Sequence, residues 1–139
     1  MTENTYKCRS IIAGSVEGEA LVANEPICFY LCEPETGVVV DKNHCLKGKS
    51  VTGKILIVKS GKGSSVVQLD GLYQLKENNN LPKALIILNA EPVIVSSAYV
   101  VNLPMVDRLD KSPYEIISDG DYVKIDAGSD DGTVTVIKK

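Results

Sequence analysis

The chain has 139 residues, 44% hydrophobic and 24% charged, with a formal net charge of −3 at pH 7. That length suits one domain with a sizeable core, and acidic and basic residues are interspersed, which leaves no basic field for nucleic acid or an anionic membrane. One Phe, six Tyr and no Trp give little of the stacking platform that single-stranded nucleic-acid binders need, and no run of about 18 apolar residues offers a membrane span.

Met1-Thr2-Glu3-Asn4-Thr5 carries neither the basic nor the apolar region of a secretory signal, so a cytoplasmic protein is expected. Its four cysteines, Cys8, Cys28, Cys32 and Cys45, are then expected as thiols. Their spacing, even with His44 beside Cys45, fits no common zinc or iron–sulfur pattern, so no metal site is expected within this chain.

Cys8 to Ala13 predicts a first strand, and Gly14 to Val22, rich in small residues, an irregular second one. Ile27 to Leu31 reads as a third strand, followed by turns around Glu33-Pro34-Glu35-Thr36-Gly37 and a short extended run at Val38-Val39-Val40. Lys54 to Lys59 is a buried strand. A glycine loop and a helix starting at Ser64 or Ser65 follow. Val66, Leu69, Leu72, Tyr73 and Lys76 recur at helical spacing and predict its buried stripe. Asn78-Asn79-Asn80 ends the helix, and Ala84 to Leu88 is a second buried strand. Pro92 suits the first turn of a helix through Val93–Val101, and Asn102 to Asp107 returns to strand. After a turn at Lys111-Ser112-Pro113, Tyr122–Asp126 and Thr133–Ile137 alternate as a closing hairpin. The order predicts an α/β fold with a mixed sheet and helices outside, one domain over 1–139 with its core at about 6–138.

The chemistry concentrates in Ser60-Gly61-Lys62-Gly63-Ser64-Ser65. Two glycines allow a sharp turn and close backbone approach. A serine at the helix start caps free N–H groups, and those groups favour an anion. The loop is no Walker A motif, because Lys62 is followed by Gly63, and it lacks the third glycine of a dinucleotide fingerprint, Val66 standing next. A serine–histidine relay would have to use His44, the one histidine, and Gly-x-Ser-x-Gly is absent. Two readings stay open: the loop turns a strand into a helix, or it belongs to a site completed by another chain. Lys62 is either a positive charge for that site or a solvated loop lysine.

Several segments in one order, Gly18-Glu19-Ala20-Leu21-Val22, Pro34 to His44, Leu46-Lys47-Gly48-Lys49-Ser50, Gly61 to Ser65, Pro82-Lys83-Ala84, Glu91-Pro92-Val93-Ile94 and Leu103 to Asp107, resemble the small subunit of the aconitase X family. The resemblance covers about residues 10–110. It implies a swivelling β/β/α domain, the counterpart of aconitase's mobile fourth domain. It also implies a large-subunit partner holding an iron–sulfur cluster of the 4Fe-4S type, and a heterodimeric hydro-lyase active only when assembled. The implied reaction dehydrates (R)-5-phosphomevalonate to trans-anhydromevalonate 5-phosphate in an archaeal mevalonate route, with the cluster as Lewis acid on the departing hydroxyl. Aconitase-type loops read Gly-Ser-Ser-Arg. Gly63-Ser64-Ser65 matches, which makes Ser64 the proton acceptor and Ser65 a helper or cap, with Lys62 and Gly63 at the substrate. Val66 replaces the arginine that grips a carboxylate, arguing against a citrate isomerase. Phe29-Tyr30-Leu31-Cys32-Glu33 is bulkier than the glycine-containing segment the resemblance leads one to expect. Dehydration of a hydroxyproline and non-catalytic binding of a small anion are the competing readings.

Overall fold

The structure is a computed structural model and describes residues 2–139. Among the described residues seven strands occur: β1 (Glu3–Ile12), β2 (Gly14–Val22), β3 (Ile55–Val58), β4 (Ala84–Ile87), β5 (Met105–Asp107), β6 (Tyr122–Ala127) and β7 (Asp131–Ile137). Three helices accompany them: α1 (Ser65–Glu77), α2 (Pro92–Val100) and the short α3 (Pro113–Ile116), the last at a place where the sequence predicts only a turn.

The expected mixed sheet with outer helices is present, and it closes into a barrel in the order β1-β5-β4-β3-β2-β6-β7. Strands β2, β3, β4 and β5 are parallel neighbours. The remaining pairings are antiparallel, with β7 returning to β1. Of these, β3 and β4 are buried on both faces, which is why they read as continuous apolar runs. Ile55, Ile57, Ala84, Ile86 and Val106 fill the barrel with Val123, Ile125, Val134 and Val136. Leu56, Val58, Leu85, Ile87 and Met105 face outward onto Leu72 and Leu75 of α1 and Ile94 and Ala98 of α2.

Two expectations are corrected. The predicted strand at 27–31 is a single parallel bridge from Ile27 to Gly61, followed by a 3₁₀ turn at Phe29–Leu31. β3 already has β2 and β4 beside it, so no sheet edge remains for a further strand to join. The buried stripe of α1 shares only Leu72 with the predicted one. Gln68, Gly71, Leu72 and Leu75 face inward, while Val66 is 76% and Tyr73 52% exposed. The helix is seated by the smallness of Gly71 and the hydrogen bonds of Gln68, properties that an apolar count does not register.

The C-terminus is fastened by a buried carboxylate. Asp121 accepts from the Ser118 N–H (2.9 Å), the Lys139 N–H (3.0 Å) and Lys138 Nζ (2.6 Å). Burial alone would raise its pKa, but these three donors outweigh it and hold the carboxyl below its ordinary 3.8. A depressed folded-state pKa gives stability that is complete above the ordinary value and is lost as pH falls through the lower, folded one. Thermal melts below about pH 4 should therefore show an acid-induced loss that is smaller in Asp121→Asn, a variant less stable than the parent at neutral pH. Parallel Tm–pH curves for the two proteins would exclude this role.

Candidate functional site

Parallel strands β2 to β5 all end on one side of the barrel, where open α/β sheets place their ligands. The chain leaves β3 there through Ser60 to Ser64 and enters α1. A Cβ on Gly61 would lie 2.8 Å from Gln68 Nε2, 2.9 Å from Ile94 Cβ and 3.0 Å from Glu91 Oε1, so no side chain fits. Gly63 has φ +98°, a conformation other residues rarely adopt. Ser64 then caps α1, its Oγ accepting from the Val67 N–H at 3.4 Å. That bond is long, and the N–H groups of Ser65 and Val66 have no intrahelical acceptor.

A second helix start on the same edge makes the contrast plain. Glu91 caps α2 with both carboxylate oxygens, taking the Val93 and Ile94 N–H groups at 2.8 Å each. The positive end of α2 is thus neutralised by the chain's own carboxylate, whereas that of α1 has only a weakly held hydroxyl. Of the two, α1 is the end that can receive an anion.

Lys62 lies one residue before Gly63, and its ammonium meets Asp41 Oδ2 at 2.8 Å. Asp41 is itself fixed by the Asn43 N–H on Oδ1 at 3.1 Å. The hydrogen bond between them raises the Lys62 pKa and lowers that of Asp41, so both are charged at neutral pH. The structure therefore gathers Lys62, Gly63, Ser64 and Ser65 on one loop and adds Asp41, Gln68 and Glu91 around it. Asp41 and Glu91 stand inside the segments that carry the resemblance. The signal for Gln68 is a polar residue four places after Ser64, on the face α1 turns inward.

His44 is not part of a relay with Ser64. It is buried, its Nδ1 accepting from the Leu46 N–H (3.0 Å) and its Nε2 meeting the Pro26 carbonyl (3.0 Å). Nε2 must carry the proton, and neither nitrogen is left to act as base. The same bonds argue against a metal at Glu25, His44 and Cys45, whose ligand atoms lie within 4.8 Å of one another. Glu25 Oε2 is also taken, by the Cys45 N–H at 2.9 Å, and the Cys45 pKa is raised by burial and by that carboxylate. The other three thiols are buried: Cys8 inside the barrel, pushed up to about 11 by burial and nearby aspartates, and Cys28 and Cys32 at the two ends of the 3₁₀ turn, Cys32 pushed up to about 12, chiefly by burial. Among the described residues no three cysteines come together, so this chain does not fit an iron–sulfur cluster.

The family model for the aconitase X swivel domain matches residues 5–136. The chain belongs to the aconitase X swivel-domain family. This swivel domain is 43% identical over 133 residues to the phosphomevalonate dehydratase small subunit of Methanosarcina acetivorans, covering 95% of this chain and 90% of that one. It is 39% identical to the protein of the same name from Thermococcus kodakarensis, covering 95% and 96%. A crystal structure of Thermococcus kodakaraensis aconitase X in its holo-form superposes with a TM-score of 0.86 at 38% identity, covering 97% of this chain and 99% of that one. The swivel-domain fold expected from the resemblance is therefore present. Among the described residues no helix is long and apolar enough to cross a membrane.

Proposed function

We propose that residues 1–139 act as one swivel domain, the small subunit of a two-subunit cytoplasmic hydro-lyase that dehydrates (R)-5-phosphomevalonate to trans-anhydromevalonate 5-phosphate. The reading is carried by one observation: Ser64 stands at the open end of α1 in a chain about 40% identical, over nearly its whole length, to phosphomevalonate dehydratase small subunits. In this reading the iron–sulfur cluster belongs to the large subunit, in keeping with thiols here that do not gather into a ligand set.

Ser64 Oγ is the base. It takes the proton from the carbon beside the substrate carboxylate. The C–H electron pair becomes the double bond, the hydroxyl on the neighbouring carbon leaves with the C–O pair, and passage of the serine's proton to that hydroxide releases one water and restores the alkoxide. A serine hydroxyl is far too weak an acid to ionise unaided near pH 7, so the site has to favour the alkoxide. The Val67 N–H bonded to Oγ and the unfilled N–H groups of Ser65 and Val66 are the groups available for that, the Lys62 ammonium being paired with Asp41. Closure by the large subunit would exclude water and strengthen each of them.

The test is anaerobic co-expression with the cognate large subunit and an assay of 5-phosphomevalonate dehydration. Turnover that requires both chains is expected. A stable complex active on a hydroxyproline and inert to phosphomevalonate would redirect the substrate. No complex, with anion binding by this chain alone, would make it a binding module.

A further inference from the structure

Gln68 is fully buried, yet a polar side chain contributes little to packing that an apolar one of similar volume would not. Its amide is completely used. Oε1 accepts from the Phe29 N–H at 2.7 Å, and Nε2 donates to the Ile27 carbonyl at 3.0 Å and to the Lys62 carbonyl at 3.4 Å. One amide orientation satisfies all three partners, since the two carbonyls need a donor and the N–H an acceptor. Its backbone N–H also donates to the Ser64 carbonyl at 3.0 Å. Gln68 thus holds the loop at two points, Lys62 through its side chain and Ser64 through its main chain. The same side chain ties that loop to Ile27 and Phe29, which are joined to it again by Ile27 N–H to Ser60 carbonyl (3.0 Å) and Lys62 N–H to Ile27 carbonyl (3.1 Å).

From this geometry we infer that Gln68 is a positioning residue, setting the Ser64 loop against the 27–29 segment so that Oγ stays in place at the start of α1. It has no exposed surface with which to touch a substrate. Its effect therefore passes through Lys62 and Ser64. The inference rests on the function proposed above, and Gly61 is consistent with it, because any Cβ there would push directly on Nε2.

Two near-isosteric variants in the assembled two-subunit enzyme separate positioning from packing. Gln68→Met keeps the volume and the main-chain bond to Ser64 and removes every side-chain polar contact. Gln68→Glu keeps the acceptor for Phe29 but aims its second oxygen at two carbonyls, one of which it can satisfy when protonated. Burial raises a carboxyl pKa, so that protonation falls within reach of the assay. Gln68→Met should lower kcat by about 10–100-fold at every pH with KM little changed. Gln68→Glu should approach the parent at the acidic end of the profile and fall away as pH rises. Hydrogen exchange of the 60–67 segment, measured in the assembled enzyme without substrate, should quicken in Gln68→Met. Wild-type kcat in both variants, or unchanged exchange in that segment, would overturn the inference. Because the exchange experiment needs no substrate, it decides the role of Gln68 even if the enzyme acts on something other than phosphomevalonate.

Discussion

Ser64→Ala is expected to lower turnover of the assembled enzyme by at least about 10²–10⁴-fold while leaving assembly intact, the range associated with losing a positioned general base. The same change removes a helix cap, normally worth about 1 kcal/mol. Here the capping bond is 3.4 Å long, which puts the structural cost at the low end of that range. Ser64→Asn separates the two effects. Asparagine caps as well as serine but cannot become an alkoxide, so it should restore thermal stability and leave the enzyme inactive. Recovery of activity in Ser64→Asn would reduce Ser64 to a cap and return the loop to a strand-to-helix turn. Ser65→Ala, at the first helical position, should cost far less.

Gly71→Ala is expected to be the most damaging small substitution to stability. A methyl there would meet Tyr30 N and Phe29 C at once, with Tyr30 Cα at 2.6 Å. These are backbone atoms, so no side chain can swing aside. Alanine would otherwise favour a helix interior by about 1 kcal/mol over glycine. The close approach of the 3₁₀ turn reverses that preference, with a net loss of about 2–3 kcal/mol and a Tm lower by roughly 5–10 °C. An unchanged or higher Tm would mean that the turn does not press on α1. Because Phe29 is also a partner of Gln68, pushing the turn outward should disturb the Ser64 loop as well, and kcat should fall alongside stability.

These two glycine and serine positions also show what could be read from the chain. Gly61, Gly63 and Ser64 announce themselves, because a sharp turn and a helix cap each demand a narrow set of residue types in a fixed order. The strands at Ile55–Val58 and Ala84–Ile87 are legible for a similar reason, since burial on both faces leaves an unbroken apolar run. Gln68 and Gly71 were illegible as contacts. Periodicity counts apolar side chains, and it selected Val66, Leu69 and Tyr73 because the true inner face carries an amide and a hydrogen atom. Ile27 to Leu31 misled in the opposite way. Its composition suits a strand, but whether an extended segment finds a partner depends on pairings made by residues distant in the chain. The role of Glu91 at the start of α2 depends equally on position, since its carboxylate matters because it fills one helix end and leaves the other unfilled.

The return of β7 onto β1, from Glu3 opposite Ile137 to Arg9 opposite Asp131, bears on how this domain can meet another protein. An open sheet offers a row of unspent backbone donors and acceptors onto which a foreign strand can be added, a route to partnership and also to fibrils. In the closed ring the groups where neighbouring strands overlap are spent on one another, β1 with β5 at Arg9–Ile12 and β2 with β3 at Ala20–Val22. A second chain finds no open edge between β7 and β1, and can recognise this one by the shape and chemistry of its loops and helix faces. Such an encounter can be released and re-formed without unzipping a strand.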